Sequence, residues 1–301
     1  MILPPFLKPG DSVALVSTSN FTEPQYIAET VKILESWQLK PVLGKSIGPR
    51  HGSFAGSDAL RQKDLQQMLD DDKIKAIFET MGGYGIIRLI DKVNFNKFKY
   101  RPKWVVGYSD TTFLHSHLQG MLSTGSIHAT MAADLEDGYQ VSSWESLRKA
   151  LFGEKLTYQV KPHPLNREGV SEGRLVGGTI SILCNAKGTM SEVNTNGQIL
   201  FLEETGEHQY RLDSYLVSLK NAGKFDYVKG VLVGHLTDMK TDDPDFGKTP
   251  EEIVLDALQD YDFPVCFGFP AGHGGVNKAL VFGAPIKMEV SKTGSVVQFG
   301  Y

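Results

Sequence analysis

Three short segments carry residue types that belong together in acyl transfer. The first reads Trp104-Val-Val-Gly107-Tyr-Ser109-Asp110-Thr-Thr. An apolar run enters Gly-x-Ser and passes directly into a segment of helical periodicity. A tight strand-to-helix turn of this kind lifts a serine hydroxyl above a sheet, and a small residue two positions earlier avoids a clash. The helix start behind it adds backbone N–H groups and the positive end of a dipole near a developing oxyanion. Thr111 stands where Gly-x-Ser-x-Gly has its second glycine. A serine before a helix is also a common N-cap, so the local string leaves two readings of Ser109 open.

A serine nucleophile needs a general base, normally histidine, and the histidine needs a carboxylate to set its tautomer. Of the eight histidines, His115 and His117 follow Ser109 and differ by two positions. They therefore point to different helix faces, which suits packing or surface residues and not a metal pair. His128, His163, His208 and His235 have no distinctive context, and His51 lies in a glycine-bearing loop. His273 differs. It sits in Gly268-Phe-Pro-Ala-Gly-His273-Gly-Gly after an apolar run, and a histidine in such a loop is better placed to reach across a cleft than to pack. An exposed loop histidine is the alternative. The carboxylate candidates follow the strand Gln198-Ile-Leu-Phe-Leu202, which ends in Glu203-Glu204. Glu203 continues the strand and is the one expected to point inward; solvated turn carboxylates are the commoner case. Met81-Gly82-Gly83-Tyr84-Gly85 closes another strand. Paired glycines let backbone N–H groups approach an anion, so beside a nucleophile this turn makes half an oxyanion hole. It is not a Walker loop, and no Gly-x-Gly-x-x-Gly occurs.

These residues need elements to hold them. Val13–Val16, Ile74–Phe78 and Trp104–Val106 read as strands. Between and after them, Ile27, Val31 and Leu34, then Leu60, Leu65 and Met68, then the segment through Leu118, read as helices. Alternation at this spacing predicts an open, mostly parallel sheet with helices on both faces, its working groups at the carboxyl edge. Residues 151–170 are polar and hold Pro162, Pro164 and Gly169, a linker with room for one strand. Beyond it come strand signals at Ile199–Leu202, Gly230–Val233, Val265–Phe269, Ala279–Gly283, Ile286–Val290 and Val296-Val297, with helices at Tyr210–Leu219 and Pro250–Leu258. The expected division is an α/β domain over 1–150 carrying the serine, the linker, and a β-rich α+β domain over 171–301 carrying the glutamate and histidine.

Composition narrows the partners. With 301 residues, two domains are the better expectation. The chain has 31 Lys and Arg against 35 Asp and Glu, a formal charge of -4, which favours neither nucleic acid nor an anionic membrane surface. No run approaches the length of a membrane helix, and the first residues lack a basic stretch followed by an apolar one. Cys184 and Cys266, the two cysteines, lie in apolar runs and read as reduced thiols. The chain therefore reads as cytoplasmic.

Taken together, Leu7-Lys-Pro-Gly-Asp11, Met81-Gly-Gly-Tyr-Gly85, Gly107-Tyr-Ser-Asp-Thr-Thr112, Gly177-Gly178, Phe201-Leu-Glu-Glu204 with Tyr210-Arg-Leu-Asp213, and Gly268-Phe-Pro-Ala-Gly-His273 resemble the LD-carboxypeptidase family in identity and order. These are serine peptidases, and the microcin C self-immunity peptidases are among them. The resemblance covers nearly the whole chain. It implies an N-terminal domain similar to glutamine-amidotransferase folds, a C-terminal β-rich domain, and a site between them, usually in a homodimer. It implies a triad of Ser109, His273 and Glu203, with an oxyanion hole from the backbone N–H groups of Asp110 and of Gly82 or Gly83. It implies no cofactor and no metal, and a small peptide as substrate: removal of the terminal D-alanine from muropeptide tetrapeptides in cell-wall recycling. A microcin-immunity-like hydrolase of peptidyl-nucleotide or acyl-sulfamoyl amides is the alternative, for which Trp144 is a candidate to stack on a base. A non-catalytic ligand-binding module on the same fold is another. Arg88 and Arg211 are candidates for a substrate carboxylate. Met81, Thr179 and His128-Ala-Thr130 depart from the family pattern, where Arg, Asn and a Gly-Pro pair are usual.

Overall fold

The computed structural model describes residues 1–301 except Tyr139 and Asp242. Strands β1 (Ser12–Val16), β2 (Lys40–Leu43), β3 (Ile74–Glu79), β4 (Trp104–Gly107) and β5 (Ser126–His128) run parallel in one sheet. Helices α1 (Pro24–Ser36), α2 (Asp58–Asp70), α3 (Asn96–Tyr100) and α4 (Thr111–Leu122) fall between them, and α5 (Val141–Leu151) follows. Alternation along β1 explains the layering. Val13 and Leu15 face a core shared with Ile27 and Leu34 of α1 and with Trp144 and Leu147 of α5, whereas Ala14 and Val16 face Leu65 of α2 and Phe113 and Leu118 of α4.

The second sheet begins with β6 (Thr157–Val160), inside the expected linker, and β7 (Gly169–Thr179). It continues through α6 (Ile180–Asn185), β8 (Ile199–Thr205), α7 (Gln209–Asn221), β9 (Gly230–Thr237), α8 (Pro250–Ala257) and β10 (Val265–Cys266). Those strands form a parallel half, β10-β9-β8-β7, and β12 (Pro285–Ser291), β13 (Gly294–Phe299) and β6 extend it antiparallel. Between β10 and β12, β11 (Leu280–Phe282) crosses back and pairs antiparallel with β5, completing the order β11-β5-β4-β3-β1-β2 of the first sheet. One apolar core joins the sheets, since Leu175, Ile199, Phe201 and Leu232 share it with Val106, Ile127 and Trp104. The opposite face of the second sheet packs under α6, α7 and α8 through Val176, Leu200, Leu202, Leu212, Leu216 and Ile253. This is the mixed α/β, two-sheet architecture expected. Among the described residues no helix is long and apolar enough to cross a membrane. Cys184 is half-buried, Cys266 is buried, and neither forms a disulfide.

Gly177 shows how tightly β7 and β8 are drawn together. Its φ is 128°, and a Cβ there would lie 2.0 Å from the backbone oxygen of Phe201. The obstructing atom is main chain and cannot swing away. Gly177→Ala is therefore expected to destabilise the fold by about 3 kcal/mol or more, read as a fall in the urea midpoint.

Candidate active site

The carboxyl edges of β4 and β8 meet at the seam between the sheets. At the end of β4 the chain turns into α4 through Gly107, Tyr108 and Ser109, and Ser109 adopts φ 60°, a conformation that non-glycine residues rarely hold and that clusters at functional turns. A Cβ on Gly107 would lie 2.7 Å from Thr111 Oγ1 and 3.0 Å from Glu79 Cβ, which is why the residue two before the serine must be small. The N-cap alternative fails. Asp110 occupies the cap position of α4, and the hydroxyl of Ser109 caps nothing. Asp110 instead turns its carboxylate back, accepting from Ser19 Oγ at 2.5 Å and from the Ile86 N–H at 2.9 Å. Burial pushes that carboxyl above its ordinary range. His115 locks the turn from within α4. Fully buried, it donates from Nε2 to the Gly107 carbonyl at 2.9 Å, and burial lowers its pKa to about 4, so it is neutral.

The glycine turn after β3 lies against the serine. A Cβ on Gly82 would fall 2.7 Å from Ser109 Cβ and 2.8 Å from its Oγ. Gly83, at φ 96°, is covered by the Asn20 amide. The backbone N–H groups of Gly82, Gly83 and Asp110 have no acceptor among the described residues.

Glu203 and His273 form the most tightly specified pair. Glu203 is 0% exposed. Its Oε2 accepts from His273 Nδ1 at 2.7 Å and from the His273 backbone N–H at 3.2 Å. Its Oε1 accepts from the Thr179 hydroxyl. Burial pushes the Glu203 carboxyl up, but the facing imidazole and these hydrogen bonds outweigh it and hold the carboxyl below its usual range. In His273, burial disfavours the cation, yet the Glu203 charge and hydrogen bond, with Glu204 and Asp134 farther off, leave its pKa raised. With Nδ1 committed to Glu203, Nε2 is the nitrogen left for chemistry. The Ser109 hydroxyl makes no hydrogen bond to His273 here; such bonds are often long before substrate binds. The link between them is short. Tyr108, next to Ser109, lies ring to ring with His273 at 4.8 Å, and the Thr179 hydroxyl that donates to Glu203 lies 3.5 Å from the Ser109 carbonyl oxygen. His273 and Tyr108 wall a cleft of about 340 Å³ whose other charged lining is Asp134, Asp137 and Asp238.

Family models match both halves of the chain: LD-carboxypeptidase N-terminal domain over residues 13–129 and LD-carboxypeptidase C-terminal domain over 172–288. The chain belongs to the LD-carboxypeptidase family. It is 31% identical over 303 residues to a probable murein peptide carboxypeptidase of Bacillus subtilis, covering 99% of this chain and 94% of that protein. Solved structures share the fold, two among them as follows. The muramoyltetrapeptide carboxypeptidase from Oxalobacter formigenes matches with a TM-score of 0.88 at 22% identity, over 96% of this chain and 99% of that one. A microcin C7 self immunity protein in complex with aspartyl sulfamoyl adenosine matches with 0.87 at 21% identity, over 100% and 99%. The chain is thus a peptidase of a carboxypeptidase family.

The remaining candidates of this LD-carboxypeptidase-family chain lie elsewhere. Trp144 is 2% exposed in the core, tilted against Trp37 at 6.2 Å between ring centroids, and so offers no face to a ligand; its stacking role is withdrawn. Arg88 pairs with Asp58 at 2.7 Å beyond the glycine turn. Arg211 pairs with Glu207 on α7 at 3.4 Å. Neither lines the cleft. Thr179, legible only as a departure from the family pattern that lies near the cleft and clear of the triad, in fact donates to Glu203; His115, Tyr108 and Asp134 were not legible as parts of the site, although the first two lie in segments that stand out in the sequence. Because the Glu203 charge favours the imidazolium, Glu203→Gln is expected to move the His273 titration, followed by NMR of the imidazole protons, to lower pH.

Proposed function

We propose that this chain is a serine-type LD-carboxypeptidase that releases the terminal D-alanine from muropeptide tetrapeptides. The observation that carries the reading is the buried Glu203 bonded to His273 Nδ1, set beside a serine held at φ 60° at the mouth of a helix. In this reading His273 Nε2 takes the Ser109 proton as Oγ attacks the amide carbonyl. Glu203 orients the imidazole and stabilises its cation. The oxyanion faces the free N–H groups of Asp110 and of Gly82 or Gly83. His273 then protonates the leaving amine, and water hydrolyses the acyl-enzyme on Ser109 by the same route. The naming of the relatives supports the substrate class. A homodimer in the cytoplasm is the setting the family resemblance supports.

The peptidyl-nucleotide alternative loses the aromatic residue proposed to stack on a base, since Trp144 is in the core. Mass spectrometry after incubation with a muropeptide tetrapeptide, and separately with aspartyl sulfamoyl adenosine, discriminates directly. Loss of alanine from the first with the second intact is expected; cleavage of the second alone would overturn the substrate assignment. Ser109→Ala is expected to lower turnover by about 10⁴-fold or more with unchanged thermal unfolding; activity within about tenfold of the native chain would sink the nucleophile. Gly82→Ala, whose methyl would press on Ser109, is expected to cost about 100-fold in kcat.

A further inference from the structure

Glu203 grips His273 through one ring nitrogen. That hydrogen bond sets the tautomer and, with the covalent attachment at Cγ and the His273 N–H held by the same oxygen, confines the ring to a range of tilts within hydrogen-bond tolerance, over which Nε2 still moves. A second contact on the ring face narrows that range. Tyr108 makes that contact from the other sheet. Its ring centroid lies 4.8 Å from that of His273, with 58° between the planes, a tilted packing of the kind aromatic pairs favour. The Tyr108 ring is itself unable to swing away. Its hydroxyl donates to Asp134 Oδ1 at 2.7 Å. Asp134 is tied in turn by Thr130 Oγ1 at 2.8 Å and the Met131 N–H at 2.9 Å, both to Oδ2. The His128 ring also packs against Tyr108, at 5.5 Å between centroids, and the Tyr108 side chain is only 8% exposed although it walls the cleft.

We propose that Tyr108 is a positioning residue: its ring, tethered through its hydroxyl to Asp134, fixes the plane of the His273 imidazole so that Nε2 is presented to Ser109. The proposal rests on Ser109 and His273 acting as nucleophile and base. It explains why the residue beside the nucleophile is a large aromatic although the turn itself demands only a small residue at 107. It also makes the base depend on both sheets, with the carboxylate on β8 setting its tautomer and the loop after β4 setting its plane.

The test uses an alkyl fluorophosphonate, which phosphonylates an activated serine, the serine oxygen replacing fluoride on phosphorus, and reports the nucleophile independently of the substrate. The native chain, Tyr108→Phe and Tyr108→Ala are labelled under pseudo-first-order conditions, with the site mapped by peptide mass spectrometry. Tyr108→Ala is expected to reach the same final extent at Ser109 but about 100-fold more slowly, the scale of a misplaced catalytic group. Tyr108→Phe, which keeps the ring but loses its tether to Asp134, is expected to label at a rate between the two, within about tenfold of the native chain. The proposal is overturned if Tyr108→Ala labels at the native rate, or if its final extent falls while the rate of the labelled fraction is unchanged, the signature of partial unfolding. It is also overturned if Tyr108→Phe is slowed as much as Tyr108→Ala, which would assign the effect to the hydroxyl. A native chain that takes no label at Ser109 instead overturns the reading of Ser109 on which the proposal rests.

Discussion

A carboxylate without water must be surrounded by donors, and Glu203 is completely buried. Its oxygens are met from two elements remote in sequence: the Thr179 hydroxyl at the end of β7, and the side chain and main chain of His273 in the loop before β11. Leaving any of these out would strand a charge in the interior, so the parallel register that sets Thr179 opposite Glu203 and the bend of the His273 loop are held to one arrangement. The geometry of the Glu203–His273 pair is thus a by-product of solving a solvation problem. The same burial that makes the pair costly keeps its hydrogen bonds undiluted by solvent.

The second constraint is closeness. The two sheets share an apolar core, and the elements that bear the site approach to main-chain distance. A Cβ on Gly178 of β7 would sit 2.5 Å from Thr112 Oγ1 in the first turn of α4, and the Thr179 N–H donates to that same oxygen at 3.2 Å. The glycines at 82 and 178 therefore stand where a side chain would press on the serine turn or the first turn of α4, that at 107 where it would crowd the turn itself, and that at 177 where it would part β7 from β8. Beneath the turn, burial, with Asp110 and Asp64 nearby, raises the Glu79 pKa to about 8. A neutral acid there leaves the space under Ser109 without a further buried charge.

Much of this was legible in the chain. The strands β1, β3, β4 and β8 announce themselves as short apolar runs, because both of their faces are buried, and the helices α1, α2, α7 and α8 by periodicity, because each buries one face against a core. Other elements do not. β2 is an edge strand with Pro41 and mostly exposed positions, so it carries no alternation to read. β5, three residues long, and β7, rich in glycine, lack a periodic signature, and β11 reads as a strand but not as one belonging to the other sheet. His115 and His117 were legible as packing or surface residues and not as a metal pair; that both are buried, and that His115 holds the Gly107 carbonyl, was not, since the spacing of two says nothing of which atom each ring meets.

By itself the sequence determined which residue types stand at the ends of strands and in glycine turns: Ser109 after Gly107, Glu203 after an apolar run, His273 in its loop. Local backbone preference and burial of one face act over a few neighbours, so they leave a mark on consecutive residues. Only the tertiary structure decided that Thr179 and Tyr108 complete the setting of Glu203 and His273, and that Trp144 is withdrawn into the core. The reason is physical. The Glu203–His273 contact joins groups 70 residues apart, and such contacts follow from the packing of whole sheets, which no short stretch of the chain encodes.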